Sequence, residues 1–367
     1  MASLFDPITI GDISLANRIV MAPLTRSRAI DGLLPGPMTV EYYRQRATAG
    51  LIIAEATQIS PMGQGYLGTP GIHTADQVAA WRQVTDAVHA AGGRIVLQLW
   101  HVGRISHSSL LPEGAAPVSS TNRRANAKTY IEEGFVDVST PRALRDDEVP
   151  GLVADFRNAA RRSMEAGFDG VEVHAANSYL LDQFLRDSVN DRSGPYGGSI
   201  ANRARLLNEI MQAVVDEVGG GRTGIRLSPM TTFSDTARDS DPQALYNHVV
   251  EQLAPLGLAY LHVIEGETGG SRTPDDAAVP FDYEALHSRF PGPWMVNNGY
   301  GRTDGMEAVE NGKADLVAYG RPFISNPDLV RRLQEDAPLN ALREVGMYGG
   351  TAEGYVDYPA LDETPAT

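Results

Sequence analysis

The chain contains no cysteine. That excludes disulfides, thiolate metal sites and cysteine nucleophiles, and removes any reason to propose an oxidising compartment. Lysine is nearly absent as well: Lys128 and Lys313 are the only two among 367 residues. Neither falls at the C-terminal end of an expected strand, which argues against a Schiff-base aldolase. No apolar run approaches the length needed to cross a bilayer. The opening Met1-Ala-Ser-Leu-Phe-Asp-Pro has neither a basic n-region nor an apolar h-region, so no signal peptide, no membrane partner and a cytoplasmic location are expected. Positive charge is also in deficit. With a formal net charge of −15, the surface repels phosphate backbones, and nucleic acid is not an expected partner. Any anionic cofactor must then be held by a local cluster of cationic groups and backbone amides. What remains is ordinary for a globular enzyme, with 42% hydrophobic and 21% charged residues.

Short apolar runs alternate with helix-like segments. Strands are expected at 18–24, 51–59, 94–100, 168–174, 223–228, 258–264, 294–298 and 314–320, and helices at 39–48, 75–91, 150–166, 201–218 and 242–256. Most strands are continuously apolar, as parallel strands buried on both faces are. Eight such units predict an α/β fold closed into a (β/α)8 TIM barrel, one domain over 1–367. Three segments stand outside the repeat. Residues 5–15, with Gly11-Asp12 between apolar residues, read as an N-terminal hairpin capping the barrel floor. Residues from about 101 to 148 form a long polar insertion after strand three, the kind of connection that serves as a lid or binding loop. The Gly-rich C-terminal region is expected to end in a flexible tail from about 355 to 367.

In such a barrel the chemistry gathers at the C-terminal ends of the strands. The fourth run ends in His174, Asn177 and Tyr179 within six positions. A neutral imidazole, an amide and a phenol suit binding a neutral oxygen and delivering a proton beside it. The structural alternative is a loop tied down by His174 and Asn177, with Tyr179 as packing. Gly299-Tyr-Gly301 and Gly320-Arg321 follow strands seven and eight, the usual phosphate-binding place in this fold; the alternative is two tight turns and a surface arginine. Arg226, ending a buried strand, needs a carboxylate or an anionic reduced cofactor as partner. Thr25 and Gln98 add neutral hydrogen-bonding groups, and Pro23 and Ala56 leave room for a flat ring. Tyr66, Trp100 and Tyr348 supply aromatic walls. Together these residues describe a flavin mononucleotide (FMN) site. A metal-dependent barrel hydrolase using His101, His174 and His262 would need converging carboxylates, and strand one ends in Ala22-Pro-Leu-Thr, so no metal site is expected. His262, inside strand six, reads as a satisfied core residue. A catalytically silent binding barrel is the remaining rival.

The chain resembles the old yellow enzyme family of flavin-dependent ene-reductases over nearly its whole length. The resemblance rests on Phe5-Asp-Pro, Asn17-Arg-Ile-Val-Met-Ala-Pro-Leu-Thr-Arg, Gln98-Leu-Trp-His-Val-Gly-Arg, Gly170-Val-Glu-Val-His, Tyr179-Leu-Leu-Asp-Gln-Phe-Leu, Asn190-Asp-Arg-Ser-Gly-Pro-Tyr-Gly-Gly-Ser, Asn202-Arg, Asn298-Gly-Tyr and Tyr319-Gly-Arg-Pro-Phe. Within the family the resemblance points to the bacterial enzymes that reduce nitrate esters, nitro compounds and N-ethylmaleimide. The resemblance implies FMN as cofactor and NADPH or NADH as reductant. Pro23, Leu24, Thr25, Ala56, Gln98, His174 and Arg226 would line the ring, and Asn298, Gly299, Gly320 and Arg321 would serve the phosphate end. His174 and Asn177 would bind the substrate oxygen, Tyr179 would give the proton, and Tyr66, Trp100 and Tyr348 would shape the substrate pocket. Thr25, rather than a cysteine, places the chain in the Thr-bearing branch. The implied partners are small electrophilic alkenes, with a monomer or weak homo-oligomer as the assembly. One departure stands out: Ala175 and Ser178 occupy positions where the family often has glycine. If either position needs a positive φ, the loop that aims Tyr179 must adapt.

Overall fold

A computed structural model of the protein describes residues 2–272 and 280–363. Eight parallel strands close on themselves: Ile19–Met21, Leu51–Gln58, Ile95–Trp100, Gly170–Ala175, Thr223–Leu227, Tyr260–Ile264, Trp294–Asn297 and Leu316–Tyr319. Each pairs with its sequence neighbours in the barrel, and the last returns to the first through Val317 opposite Ile19. All eight coincide with expected strands. The expected helices are present as Pro37–Gln45, Ala75–Ala90, Val149–Glu165, Ile200–Val218 and Pro242–Leu253. Short helices at Leu180–Leu185, Tyr283–His287, Arg302–Glu310, Arg321–Ser325 and Leu329–Glu335 were not expected. At five to nine residues they are too short for a 3.6-residue period to show. Among the described residues no helix is long and apolar enough to cross a membrane.

Side chains alternate between the two faces of each strand, so every second residue points into the barrel. Low in the barrel those positions are apolar: Val20, Leu51, Ile53, Val96, Tyr260, Met295 and Leu316 form one buried cluster. Two residues further along strands three, six and seven they turn polar, giving Gln98, His262 and Asn297, and Glu172 and Arg226 join them from strands four and five, all buried. The outward positions, Ile52, Leu97, Val171, Ile225, Leu261 and Val317 among them, pack in the larger core between strands and helices. A polar layer thus lies above an apolar floor.

The hairpin Ile8–Ile10 and Ile13–Leu15 closes that floor. Ile10, Ile13 and Leu15 join the interior cluster. Gly11, at φ 51°, sits so close to Gly221 that a Cβ would come within 2.3 Å of the Gly221 oxygen, and the Asp12 amide donates to that oxygen at 2.9 Å. At the other end, the insertion after strand three carries the antiparallel pair Lys128–Ile131 and Gly134–Asp137. This pair leans on the loop that carries Tyr66: the Leu67 amide donates to Tyr130 at 2.9 Å and the Thr129 hydroxyl donates to the Gly65 carbonyl.

The C-terminal segment departs from expectation. Tyr355 and Tyr358, placed in a flexible tail by the sequence, are buried. Tyr355 stacks on Tyr42 with ring centroids 4.2 Å apart. Burial of an aromatic ring outweighs the freedom that the flanking glycines would allow. Residues 364–367 of that expected tail lie outside the described residues.

Candidate active site

His174 lies one residue from the end of the fourth strand, with Asn177 and Tyr179 on the turn that follows. The His174 ring is buried, and burial lowers its pKa well below the usual imidazole value, helped by the Arg226 and His262 charges. Its Nδ1 accepts the Ala176 amide at 3.3 Å, so in the neutral ring the proton sits on Nε2. Asn177 is fixed at both ends. Its amide N–H donates to the Ser228 hydroxyl at 2.8 Å, and its Oδ1 accepts the Thr268 hydroxyl at 2.7 Å. The Thr268 hydroxyl lies 2.8 Å from that of Thr231. With Oδ1 occupied, the Asn177 NH2 is the group left to donate outward.

Ala175 is still strand, so its exchange for glycine needs no adaptation. Ser178 is different: it sits at φ 66°, next to Asn177 at φ 57°. A left-handed conformation is unfavourable for serine by roughly 1 kcal/mol. Local hydrogen bonds compensate. The Ser178 amide donates to Asp182 Oδ2 at 2.8 Å, and its hydroxyl donates to the Phe233 carbonyl. Asp182 is itself held by the buried Arg186 at 2.7 Å and the Tyr246 hydroxyl at 3.1 Å. Arg186 in turn donates to the Ser228 and Thr231 carbonyls. The turn therefore survives without glycine because a buried ion pair ties it to the loop after strand five.

Tyr179 then falls among aromatic rings. Its hydroxyl is 3.3 Å from that of Tyr66. Its ring stands edge-on to Trp100 at 5.0 Å and to His174 at 5.2 Å, and Tyr66 stacks parallel to Trp100 at 5.8 Å. Burial, then the neighbouring Tyr66, raises the Tyr179 pKa well above that of a free phenol. Tyr348 is two-thirds exposed, yet close enough to raise both Tyr66 and Tyr179. The structure brings together Tyr66, Trp100, His174 and Tyr179, with Asn177 on the same turn, while Tyr348 sits on the segment hydrogen-bonded to Arg26.

Beside this group lies the slot expected for the flavin ring. Strand two carries a register shift between Ala54 and Thr57. Such a bulge re-aims side chains. Glu55 reaches Tyr43 and the Arg26 amide, while Ala56 packs with Trp100, Tyr66 and Tyr179. Pro23, Leu24 and Thr25 are half-buried at the end of strand one. Below them, Gln98 donates its Nε2 to Glu172 at 2.7 Å, and Glu172 also takes His262 Nδ1 at 2.9 Å. His262 is thus anchored on one side, while its Nε2 is buried without a partner among the described residues. Arg226 donates to Asn297 Oδ1 at 2.8 Å. Among the described residues it forms no ion pair, and its buried Nε has no partner. Burial lowers its pKa to about 10, so the guanidinium remains a cation at neutral pH. A buried cation with a free donor fits an anionic ring system, and FMN meets that requirement.

The residues expected at the phosphate end follow strands seven and eight. Gly299 has φ 67°, and a Cβ there would meet nothing within 4 Å. Asn298, at φ 112°, uses its side chain to tie down the loop after strand six, donating to Glu265 and Glu267 carbonyls and accepting the Gly269 amide. Its side chain is therefore engaged, and its main chain is what remains for a ligand. Arg321 is exposed and reaches the Gly269 carbonyl at 3.4 Å. Gly269 thereby links the ends of strands seven and eight. His101 stands apart, its Nδ1 accepting the Gly103 amide at 3.1 Å, and burial lowers its pKa to about 4.

Several residues that shape the site were not singled out from the sequence: Glu172, Asp182, Ser228, Thr268 and Asn297. Glu172 alone carried a usable signal. It lies two positions before His174 and so faces the same side of the strand.

Comparison with known proteins agrees with this geometry. A family model for the NADH:flavin oxidoreductase / NADH oxidase family matches residues 3–340. 12-Oxophytodienoate reductase 1 of Oryza sativa subsp. japonica is 48% identical over 366 residues, covering 98% of this chain and 93% of that protein. 12-Oxophytodienoate reductase 2 of Arabidopsis thaliana is 44% identical over 369 residues, with 98% and 96% covered. Morphinone reductase in complex with tetrahydroNAD superposes with a TM-score of 0.92 at 45% identity, covering 99% of this chain and 98% of that one. The old yellow enzyme homologue from Zymomonas mobilis gives 0.91 at 41% identity, covering 98% and 99%. An FMN-type site on a closed barrel, a family match over most of the sequence and near-complete structural overlap lead to one assignment: the chain belongs to the NADH:flavin oxidoreductase / NADH oxidase family, as an old yellow enzyme.

Proposed function

We propose that the protein is an NAD(P)H-dependent ene-reductase that reduces activated carbon–carbon double bonds of α,β-unsaturated carbonyl and nitro compounds. The observation that carries this reading is the pair of donors left over at His174 and Asn177. His174 presents Nε2–H because Nδ1 is occupied, and Asn177 presents NH2 because Oδ1 is occupied. Two neutral donors suit a carbonyl or nitro oxygen that gains negative charge during reaction. The same donors would serve nitrate esters.

FMN, when bound, supplies the redox chemistry between nicotinamide and alkene. Pro23, Leu24, Thr25, Ala56, Gln98, His174 and Arg226 would hold its ring, and Asn298, Gly299, Gly320 and Arg321 its phosphate end. Arg226, a cation at neutral pH, would offset negative charge on the reduced ring. Tyr179, kept protonated by burial, delivers its proton to the α-carbon. Tyr66, with its hydroxyl 3.3 Å away, steadies that phenol. The relatives named for 12-oxophytodienoate and morphinone support oxo compounds as substrates, and the tetrahydroNAD complex supports a nicotinamide reductant.

An anaerobic steady-state panel of enones, maleimides, nitroalkenes and nitrate esters, run with NADPH and with NADH, tests the reading. Reduction of enones and maleimides is expected. Nicotinamide oxidation that no alkene in the panel accelerates would overturn it.

A further inference from the structure

We propose that Arg26 and Arg28 are positioning residues that set substrate selectivity by clamping residues 346–355, and with them Tyr348, at the barrel mouth. This rests on the reading that alkenes bind there beside Tyr179.

Arg26 follows directly on Thr25 and Arg28 lies two residues further on, and both are buried. A guanidinium removed from water requires acceptors for its donors. Here most of the acceptors come from one segment, apart from the Arg26 carbonyl, which takes Arg28 Nη1 at 3.2 Å. Arg26 donates from Nε to the Met347 carbonyl at 2.9 Å and from a terminal nitrogen to Gly354 at 2.7 Å. Arg28 donates to Gly346 at 2.6 Å, and to Thr351 and Glu353 at 3.2 Å each. Five carbonyls of the segment are thus held by two side chains. The Arg28 guanidinium also lies 4.3 Å from the centroid of the Tyr355 ring, and that of Arg26 lies 5.0 Å from it.

The segment has no regular structure of its own to hold it. Gly346, Gly349, Gly350 and Gly354 all adopt positive φ, and no strand or helix runs through them. So glycine-rich a stretch has high intrinsic conformational freedom, and its order must come from outside contacts. Tyr348 lies between two of those contacts. The Met347 carbonyl before it accepts from Arg26 Nε, and the Gly349 amide after it donates back to the Arg26 carbonyl at 2.8 Å. Arg26 therefore fixes the backbone on both sides of Tyr348, and Gly349 lies against the Ser27 carbonyl, which seats Tyr348 beside the residues that follow Thr25 at the barrel mouth. Because Arg26 is also joined through its amide to Glu55, beside Ala56, the same residue couples the expected flavin slot to the outer wall of the substrate pocket.

The test uses the FMN-loaded enzyme and its Arg26→Lys, Arg28→Lys and Arg28→Ala variants. Lysine keeps the charge but cannot span several carbonyls with a planar fork, so the lysine variants carry the test if Arg28→Ala does not fold. Amide hydrogen exchange across 346–354 should accelerate by about ten-fold or more while the bound-flavin spectrum stays unchanged. The ratio of kcat/KM for the bulky enone carvone to that for 2-cyclohexenone should shift by about five-fold or more. In a Tyr348→Ala background the same arginine substitutions should change that ratio by less than about two-fold, since coupled residues do not act additively. Unchanged exchange in a yellow, active enzyme overturns the clamp. A selectivity shift that persists in the Tyr348→Ala background, or faster exchange with no shift, overturns its role in selectivity. A colourless or enone-inactive wild type instead overturns the functional reading on which it rests.

Discussion

Tyr179, Arg226 and Glu55 each carry a prediction that follows from their surroundings. Tyr179 has a raised pKa and lies close to one other hydroxyl, so it can lose a proton only to something placed against it. Tyr179→Phe should slow alkene reduction by about 100-fold, the low end of general-acid contributions, while sparing flavin reduction by nicotinamide. Stopped-flow traces of the two half-reactions check this, and an equal fall in both would remove the proton-donor role. Arg226→Ala should weaken FMN binding by at least about ten-fold and make the flavin harder to reduce, since a charge-assisted contact is lost. A variant with full flavin content and an unchanged reduction potential would contradict the role given to its free Nε. Glu55 is buried, and burial raises its pKa from the usual carboxylate value to about 7. The folded state therefore favours the protonated form. Its stabilising contribution is complete below about pH 4.5 and is lost as pH rises through about 7, on the order of 3 kcal/mol in all. Glu55→Gln should leave stability near pH 5 almost unchanged and raise it near pH 8, as read from thermal unfolding at both values. The cluster of His174, Asn177 and Tyr179 at the end of strand four was legible in the sequence, because a His, an Asn and a Tyr gathered where a buried strand ends point to ligand binding at the barrel mouth. Thr268 was not, since it reads as an ordinary loop residue, and Glu172 was passed over as a polar interruption in an apolar strand although its spacing from His174 carried a signal.

At the scale of elements, the turn from Ala176 to Tyr179 shows how the family's glycine can be dispensed with. Ser178 tolerates φ 66° because Asp182 takes its amide and Phe233 its hydroxyl. Ser178→Gly relieves backbone strain but gives up one hydrogen bond, each worth roughly 1 kcal/mol, so stability and alkene reduction should both stay near wild type. Ser178→Val should destabilise by about 2 kcal/mol or more, because a β-branched residue fits the left-handed region poorly. Thermal unfolding of the two variants separates them; equal melting temperatures would show that the backbone conformation here differs from the one described. The bulge at Ala54–Thr57 could not be read from sequence at all. A run such as Leu51-Ile-Ile-Ala-Glu-Ala gives no sign of which residue will be extruded, and only pairing with strand three decides it. The short helices after strands six to eight escaped for a related reason, as one or two turns carry no readable period.

The whole molecule is organised by a change of polarity along inward-facing positions, from Val96 to Gln98 and from Met295 to Asn297. The hairpin packs Ile10, Ile13 and Leu15 into the apolar end, and the insertion packs Ala125 and Val138 with Trp100. The barrel and the N-terminal hairpin were visible in the sequence because eight apolar runs and a Gly-Asp turn are local signals. The packed C-terminal segment was not, because its order depends on Arg26, Arg28 and Tyr42, some 300 residues away in sequence. At this scale the central claim is that the polar end holds FMN and passes reducing equivalents from a nicotinamide to an activated alkene. The most direct measurement is an anaerobic visible-spectrum titration of the gently purified protein supplemented with FMN. It should bind the flavin, lose its yellow absorbance on addition of one equivalent of NADPH or NADH, and regain it on addition of 2-cyclohexenone. Protein that stays colourless with added FMN, or a bleached flavin that no enone reoxidises, would contradict the account.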